Sequence, residues 1–209
     1  MVQILYENEN IVIAVKPYGI DSQKEMTELL SKQLDCSILP IHRLDKIVYG
    51  IIVYGKNEKS VNAISQLIQK EQFHKEYLAI VNGQLEKSEA TLTDLLFHDK
   101  QRNKTYVVKR ERKGVKQAIL HYHALSYKDD KSLLSIDLKT GRTHQIRVQL
   151  ANIHHPIVGD GKYGNKENCH CALVSYHLTF KDPFTKEIHD IKIKPENIYP
   201  FDLFMEEII

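Results

Sequence analysis

Short apolar runs of strand length, separated by turn residues, are the feature that most limits how this chain folds. IVIAV (Ile11 to Val15), IIVY (Ile51 to Tyr54) and YLAIV (Tyr77 to Val81) are rich in branched and aromatic side chains. A continuous apolar run of that length describes a buried strand. The first ends at Lys16-Pro17-Tyr18-Gly19, where proline removes a backbone donor and glycine permits positive φ. The third is closed by Asn82-Gly83. Ala118 to Tyr127 and Ser132 to Leu138 carry the same signal around Lys128-Asp129-Asp130-Lys131, a candidate hairpin turn. Helical spacing is confined to a few places. Thr27 to Leu34 is a short candidate, and Asn57 with Glu58 can start a helix whose apolar positions Val61, Ile64, Leu67 and Ile68 share a face. Strands that follow one another with few crossover helices predict the α+β class: a mixed, largely antiparallel central sheet with flanking helices and loops.

Charge narrows the partner. The formal net charge is only +2, yet lysines and arginines crowd the segment from Lys100 through Arg102, Lys104 and Arg110 to Lys116. Clustered cations suit a polyanion; a solvated strand face or hairpin tip is the plainer alternative. No apolar run approaches the roughly 18 residues of a membrane helix. Met1 to Asn10 lacks the apolar stretch of a secretion signal. No membrane partner and a cytoplasmic location are therefore expected. Cys36, Cys169 and Cys171 are odd in number, and Cys169-His170-Cys171 lacks the two-residue gap of common zinc knuckles, so free thiols are expected rather than a metal site. His121 and His123 pair on one strand face, with no evident third ligand.

The chemistry-bearing residues concentrate in two segments. IHRLDKIVYG (Ile41 to Gly50) sets one carboxylate, Asp45, among His42, Arg43 and Lys46. A cation close by favours the ionised form of an enclosed acid. LKTGRTHQIRVQL (Leu138 to Leu150) leaves a strand, turns at Gly141 and enters a helix that Thr143 can cap. Ile146, Leu150 and Ile153 form the predicted buried stripe of that helix, which directs Arg147 away from the core interior. An arginine near a helix N-terminus opposes the helix dipole, so an acidic partner or a phosphate is expected beside it, with Asp45 a candidate. Asp160, in a Gly-Asp-Gly turn, is expected to serve that turn.

HRLDKIVYG resembles the HRLD-x-x-TSG motif of the RluA family of RNA pseudouridine synthases. TGRTHQIRVQL followed by HHPIVGDGKYG is similar to that family's second signature. AVKPYG (Ala14 to Gly19), HKEYLAIVNG (His74 to Gly83) and LTFKDPFTKE (Leu178 to Glu187) fall in the family's order, so the resemblance spans nearly the whole chain. It implies one catalytic domain over residues 1–209 without an N-terminal S4 domain, acting as a monomer on structured RNA, tRNA or rRNA. The implied reaction turns uridine into pseudouridine with no cofactor and no nucleotide. By the same resemblance Asp45 matches the catalytic aspartate at C1′, Tyr77 the tyrosine that stacks on the base, and Arg147 the arginine that keeps the aspartate charged. Arg43 matches a residue that fills the space left by the flipped nucleotide. His42, Arg142 and Lys75 are further substrate-binding positions. Lys16, Lys75 and the Lys100 to Lys116 cluster read as phosphate contacts or solvated charge. His144 and Gln145 are expected to orient the start of the helix.

The chain departs from the pattern where Val48-Tyr49 replace small hydroxyl residues, and where Val174 and Gln149 stand in for common histidines. Two alternatives follow. One is a non-catalytic RNA-binding paralogue or folding helper. The other is a hydrolase that releases uracil, although glycoside hydrolysis ordinarily wants two carboxyl groups and the motifs offer no evident second acid beside Asp45.

Overall fold

The computed structural model of the protein describes residues 1–164 and 167–208. Its elements run β1 (Ile4–Glu7), β2 (Ile11–Lys16), α1 (Glu25–Leu34), β3 (Leu39–Pro40), β4 (Tyr49–Gly55), α2 (Glu58–Gln69), β5 (Phe73–Asn82) and β6 (Glu89–Asp99). They continue with β7 (Lys104–Val108), β8 (Val115–Lys128), β9 (Lys131–Leu138), α3 (Gln145–Asn152), β10 (Leu173–Lys181), β11 (Ile188–Lys192) and a closing 3-10 turn at Phe201–Phe204. The class is α+β with mixed, largely antiparallel strand pairing, as the run of strand signals predicts. Two compact units divide the chain: Met1–Lys75 with Val174–Ile193, and Glu76–Leu173 with the segment from Lys194 onward.

In the first unit, β2 lies antiparallel to β1 and β4, and β4 runs parallel to β10. Every residue of β2 is buried, which is why its sequence shows no alternation. Ile11, Ile13, Ile51, Val53, Phe73, Leu178 and Phe180 form a core onto which α2 lays Ile64, with Leu67 and Ile68 beside it. That helix starts as expected: the Asn57 side chain accepts from the Ser60 amide at 2.9 Å, and Ser60 Oγ accepts from the Asn57 amide at 3.4 Å. Gly50 is required where β4 meets β10. It has φ of 129°, and a Cβ there would stand 2.3 Å from the Ser175 carbonyl oxygen.

The second unit is an antiparallel series in which β5 pairs with β9, β9 with β8, β8 with β6, and β6 with β7. The β8 to β9 hairpin turns where expected, with Asp129 and Asp130 both at positive φ, 49° and 55°. That is the mirror-image turn suited to strand twist, and aspartate tolerates it better than a branched residue does. The basic segment after Lys100 is part of this unit: β7 and the turns on either side of it carry the cations. Leu96, Ala118 and Val148 make a small core there, with Val107 and Tyr163 against it.

Two expectations about α3 fail. Thr143 does not cap it; His144 holds the cap position with φ of 55° and makes no side-chain cap bond. Nor is there a single buried stripe, because every residue from Gln145 to Leu150 is buried. A helix enclosed on all sides carries no amphipathic signal, so its spacing could not show which way Arg147 points.

Candidate active site

Asp45 sits in the loop between β3 and β4, half-buried, and side chains that are themselves buried clamp the residues on either side of it. Ser22 Oγ donates to the Leu44 carbonyl at 2.8 Å and accepts from the Leu44 amide at 3.2 Å. Tyr54 Oη donates to the Ser22 carbonyl at 2.6 Å, and burial raises the pKa of that phenol, so it stays a donor. On the other side, the Lys46 carbonyl accepts from the Gly19 amide at 2.8 Å and from Lys16 Nζ at 3.2 Å. The Asp45 carbonyl accepts from the Val48 amide at 2.9 Å.

Lys16 corrects the sequence expectation of a phosphate contact or solvated charge. Its side chain is wholly buried, and the ammonium also donates to the carbonyls of Pro17 at 2.8 Å and Ile20 at 3.0 Å. Burial lowers its pKa to about 8, while the negative charge of Asp45, followed by those of Asp21 and Glu25, pushes it back up. An enclosed cation that feels the Asp45 charge is thus one that sequence reasoning left at the surface. The only available signal was its place at the end of a fully apolar strand.

His42 packs edge-on against Phe73, with ring centroids 5.5 Å apart, and its Nε2 accepts from the Val53 amide at 3.2 Å. Burial, then the Lys75 charge, holds its pKa well below the usual range, so the ring is neutral at pH 7 with its proton on Nδ1. Lys75 Nζ stands 5.9 Å from the centre of the Phe73 ring, and burial lowers its pKa as well. Arg43 is exposed. At the departures from the family pattern, Val48 is buried and the Tyr49 ring stacks on Tyr18, centroids 5.3 Å apart at 25°.

In the second unit, Tyr77 is buried on β5 opposite Ile136 of β9. Arg147 is buried, against the expectation that it points away from the interior, and Asp160 is an acidic partner of it. Nε and Nη2 donate to the two Asp160 oxygens at 2.7 and 2.8 Å, a bidentate pair whose side chains are 4% and 0% exposed. Burial alone would push the Asp160 carboxyl up. The Arg147 hydrogen bond and charge, with the amides of Lys162 and Tyr163, bring it below the ordinary value. The turn role foreseen for Asp160 is real, since Oδ1 accepts from the Lys162 amide at 3.0 Å, but ion pairing is added to it. His144 and Gln145 do organise the start of α3. His144 Nδ1 meets Tyr163 Oη at 2.8 Å, and Gln145 Oε1 accepts from Thr140 Oγ1 at 2.7 Å and the Arg142 amide at 3.0 Å. The exposed Arg142 donates through Nε to the Gln117 carbonyl at 3.0 Å.

Residues 10–152 match the model of the RNA pseudouridylate synthase family. The chain belongs to that family. It is 30% identical to the uncharacterized RNA pseudouridine synthase of Haemophilus influenzae, over 78% of this chain and 74% of that one. It is 31% identical, with the same two coverages, to tRNA pseudouridine synthase C of Haemophilus ducreyi. The fold is shared with human RNA pseudouridylate synthase domain containing 1, at a TM-score of 0.80 and 20% identity, over 96% of this chain and 85% of that one. The enzyme is therefore an RNA pseudouridine synthase, and its reaction is the isomerisation of uridine within RNA. No helix among the described residues is long and apolar enough to cross a membrane.

Proposed function

We propose that Asp45 is the carboxylate that acts at C1′ of the target uridine, with Tyr77 against the base and Arg147 as the arginine of the site, on tRNA or rRNA. The bond from C1′ to N1 breaks, the uracil turns, and C5 joins C1′. The C5 proton leaves and N1 gains one, so the product is an isomer and no cofactor is consumed. Positive charge develops on the ribose as the bond breaks, and a carboxylate meets it by electrostatic stabilisation or by attack. The observation that carries this reading is the clamped, half-buried setting of Asp45 beside the buried Lys16 ammonium. A loop held on both sides keeps the carboxylate in register without reorganisation at the moment of reaction.

Isomerisation is favoured over hydrolysis by the state of Asp160. That acid is wholly buried, ion-paired and held below the ordinary carboxylate range, so it has no proton to give a leaving group. Uracil carries its own negative charge in its carbonyls and leaves without that proton. Arg43, Arg142, Lys75 and the basic β6 to β8 segment are proposed to face RNA, and His42 to support Phe73 and β4. The enzyme is proposed to act in the cytosol, as a monomer, and its resemblance to a tRNA pseudouridine synthase makes tRNA a first substrate to try.

The test is mapping of pseudouridine, by chemical labelling and mass spectrometry, in tRNA and rRNA from cells with and without the gene. A site lost on deletion, restored by the intact protein and not by Asp45→Ala, is the expected result. RNA capture with no site changed would instead support the non-catalytic paralogue, with the Tyr49 ring stacked on Tyr18 as the altered feature of the site.

A further inference from the structure

The turn Asp160 to Tyr163 grips two different things. At one end the Asp160 carboxylate holds the Arg147 fork. At the other, Lys162 Nζ donates to the Asn103 carbonyl at 2.7 Å, in the turn that opens β7, and Tyr163 Oη accepts from the Thr105 amide of β7 at 2.7 Å. The same hydroxyl is hydrogen-bonded to His144 Nδ1, 2.8 Å away at the cap of α3, the helix that carries Arg147. Thr105 is fastened from both sides as well: its Oγ1 donates to the Thr143 carbonyl at 2.8 Å, so the 3.1 Å contact with His98 is a donation from the histidine Nδ1. The face of the Tyr163 ring completes the arrangement, with the Arg147 guanidinium 5.1 Å and Lys104 Nζ 5.4 Å from its centre. β7 and its flanking turns bear the exposed cations Lys100, Arg102, Lys109 and Arg110.

We propose that this turn is a joint through which RNA phosphates held by the basic β6 to β8 segment set the orientation of the Arg147 guanidinium, with Tyr163 as a positioning residue. The inference rests on the reading that Arg147 serves the isomerisation. A planar guanidinium with a carboxylate along one edge and an aromatic ring within cation–π reach has little freedom to rotate. Both restraints come from one short turn, and the far side of that turn is bonded to the strand that phosphates would load. Displacement of β7 therefore moves the ring and the carboxylate together. Small misplacements of a reacting group lower the rate far more than the affinity.

The test uses the full chain and RNA extracted from cells lacking the gene, which holds the unmodified uridine. Single-turnover conversion is measured at saturating enzyme, beside filter binding and thermal melting. Tyr163→Phe keeps the ring and removes the hydroxyl. It is expected to bind RNA within about twofold of wild type but to convert it about tenfold more slowly, from the loss of the hydroxyl's bonds to Thr105 and His144. Lys162→Met cuts the other link without touching the ring and should show the same signature, which keeps the test sound if Tyr163→Phe melts early. Arg102→Gln with Arg110→Gln should slow saturated conversion in the wild-type background and add nothing in Tyr163→Phe. Wild-type rates in both single variants, or losses that multiply in the combined one, overturn the joint while leaving the isomerase reading intact. A wild-type protein that leaves every uridine unchanged overturns both.

Discussion

Replacing Asp160 by asparagine removes one charge and almost no volume. The pair it breaks is enclosed, with the Arg147 side chain 4% and the Asp160 side chain 0% exposed, so water cannot replace the lost carboxylate. Removing one member of a buried pair costs about 3–5 kcal/mol, because the remaining ion stays desolvated and loses that carboxylate. A loss of ~4 kcal/mol in a chain of this size lowers Tm by about 8–16 °C. Urea unfolding at pH 7 measures the first and calorimetry the second. The acid limb gives an independent check on the sign. The folded Asp160 carboxyl lies below its ordinary value of 3.8, so its contribution is complete above that pH and is lost as pH falls through the depressed folded value. Asp160→Asn should therefore destabilise at pH 7 and flatten that acid limb. Arg147→Met with Asp160→Leu removes both charges and should regain most of the stability while converting no uridine, since a buried pair is seldom a net source of stability. An Asp160→Asn protein within about 1 kcal/mol of wild type would refute the reasoning, because it would put the pair in the range of a solvated surface bridge.

Arg147→Lys should reduce the conversion rate much more than RNA affinity, because an ammonium cannot reproduce the bidentate fork on Asp160; equal losses in single-turnover and binding assays would count against it. Lys16 is shifted from 10.5 down to about 8, so the unfolded chain binds a proton between those values that the folded chain does not. Stability from this group accordingly rises with pH from about 8 to 10.5, and a Lys16→Met protein compared by urea titration should lack that rise. Gly50→Ala should cost about 2–5 kcal/mol or prevent folding, from a Cβ 2.3 Å from the Ser175 carbonyl oxygen and an unfavourable φ, and a soluble variant with wild-type melting would contradict the close approach of β4 to β10.

Much of the fold was legible because its signals are local. The uninterrupted apolar runs of β2 and β4 marked strands buried on both faces, and Asn57 marked the start of α2 through a bond that closes within three residues. Asp129 and Asp130 marked the β8 to β9 hairpin for the same reason. Six strands escaped. β6 alternates exposed and half-buried positions without a branched apolar run, β10 has the polar Ser175, His177 and Thr179 among its apolar residues, and β1, β3, β7 and β11 are short. The motif segments led to the family, which the family model and the relatives bear out.

By itself the sequence determined the class, the strands with long apolar runs, the family and therefore the reaction, because these rest on residue period, turn chemistry and motifs read along the chain. The tertiary structure alone decided where the charges go. Nothing local distinguishes a solvated lysine from the buried Lys16, whose acceptors include the Lys46 carbonyl, thirty positions away in the chain. Nor does a thirteen-residue separation show that Asp160 holds Arg147. Placing an ion in a protein interior is decided by whether distant groups converge to solvate it, and that convergence exists only after the chain has folded.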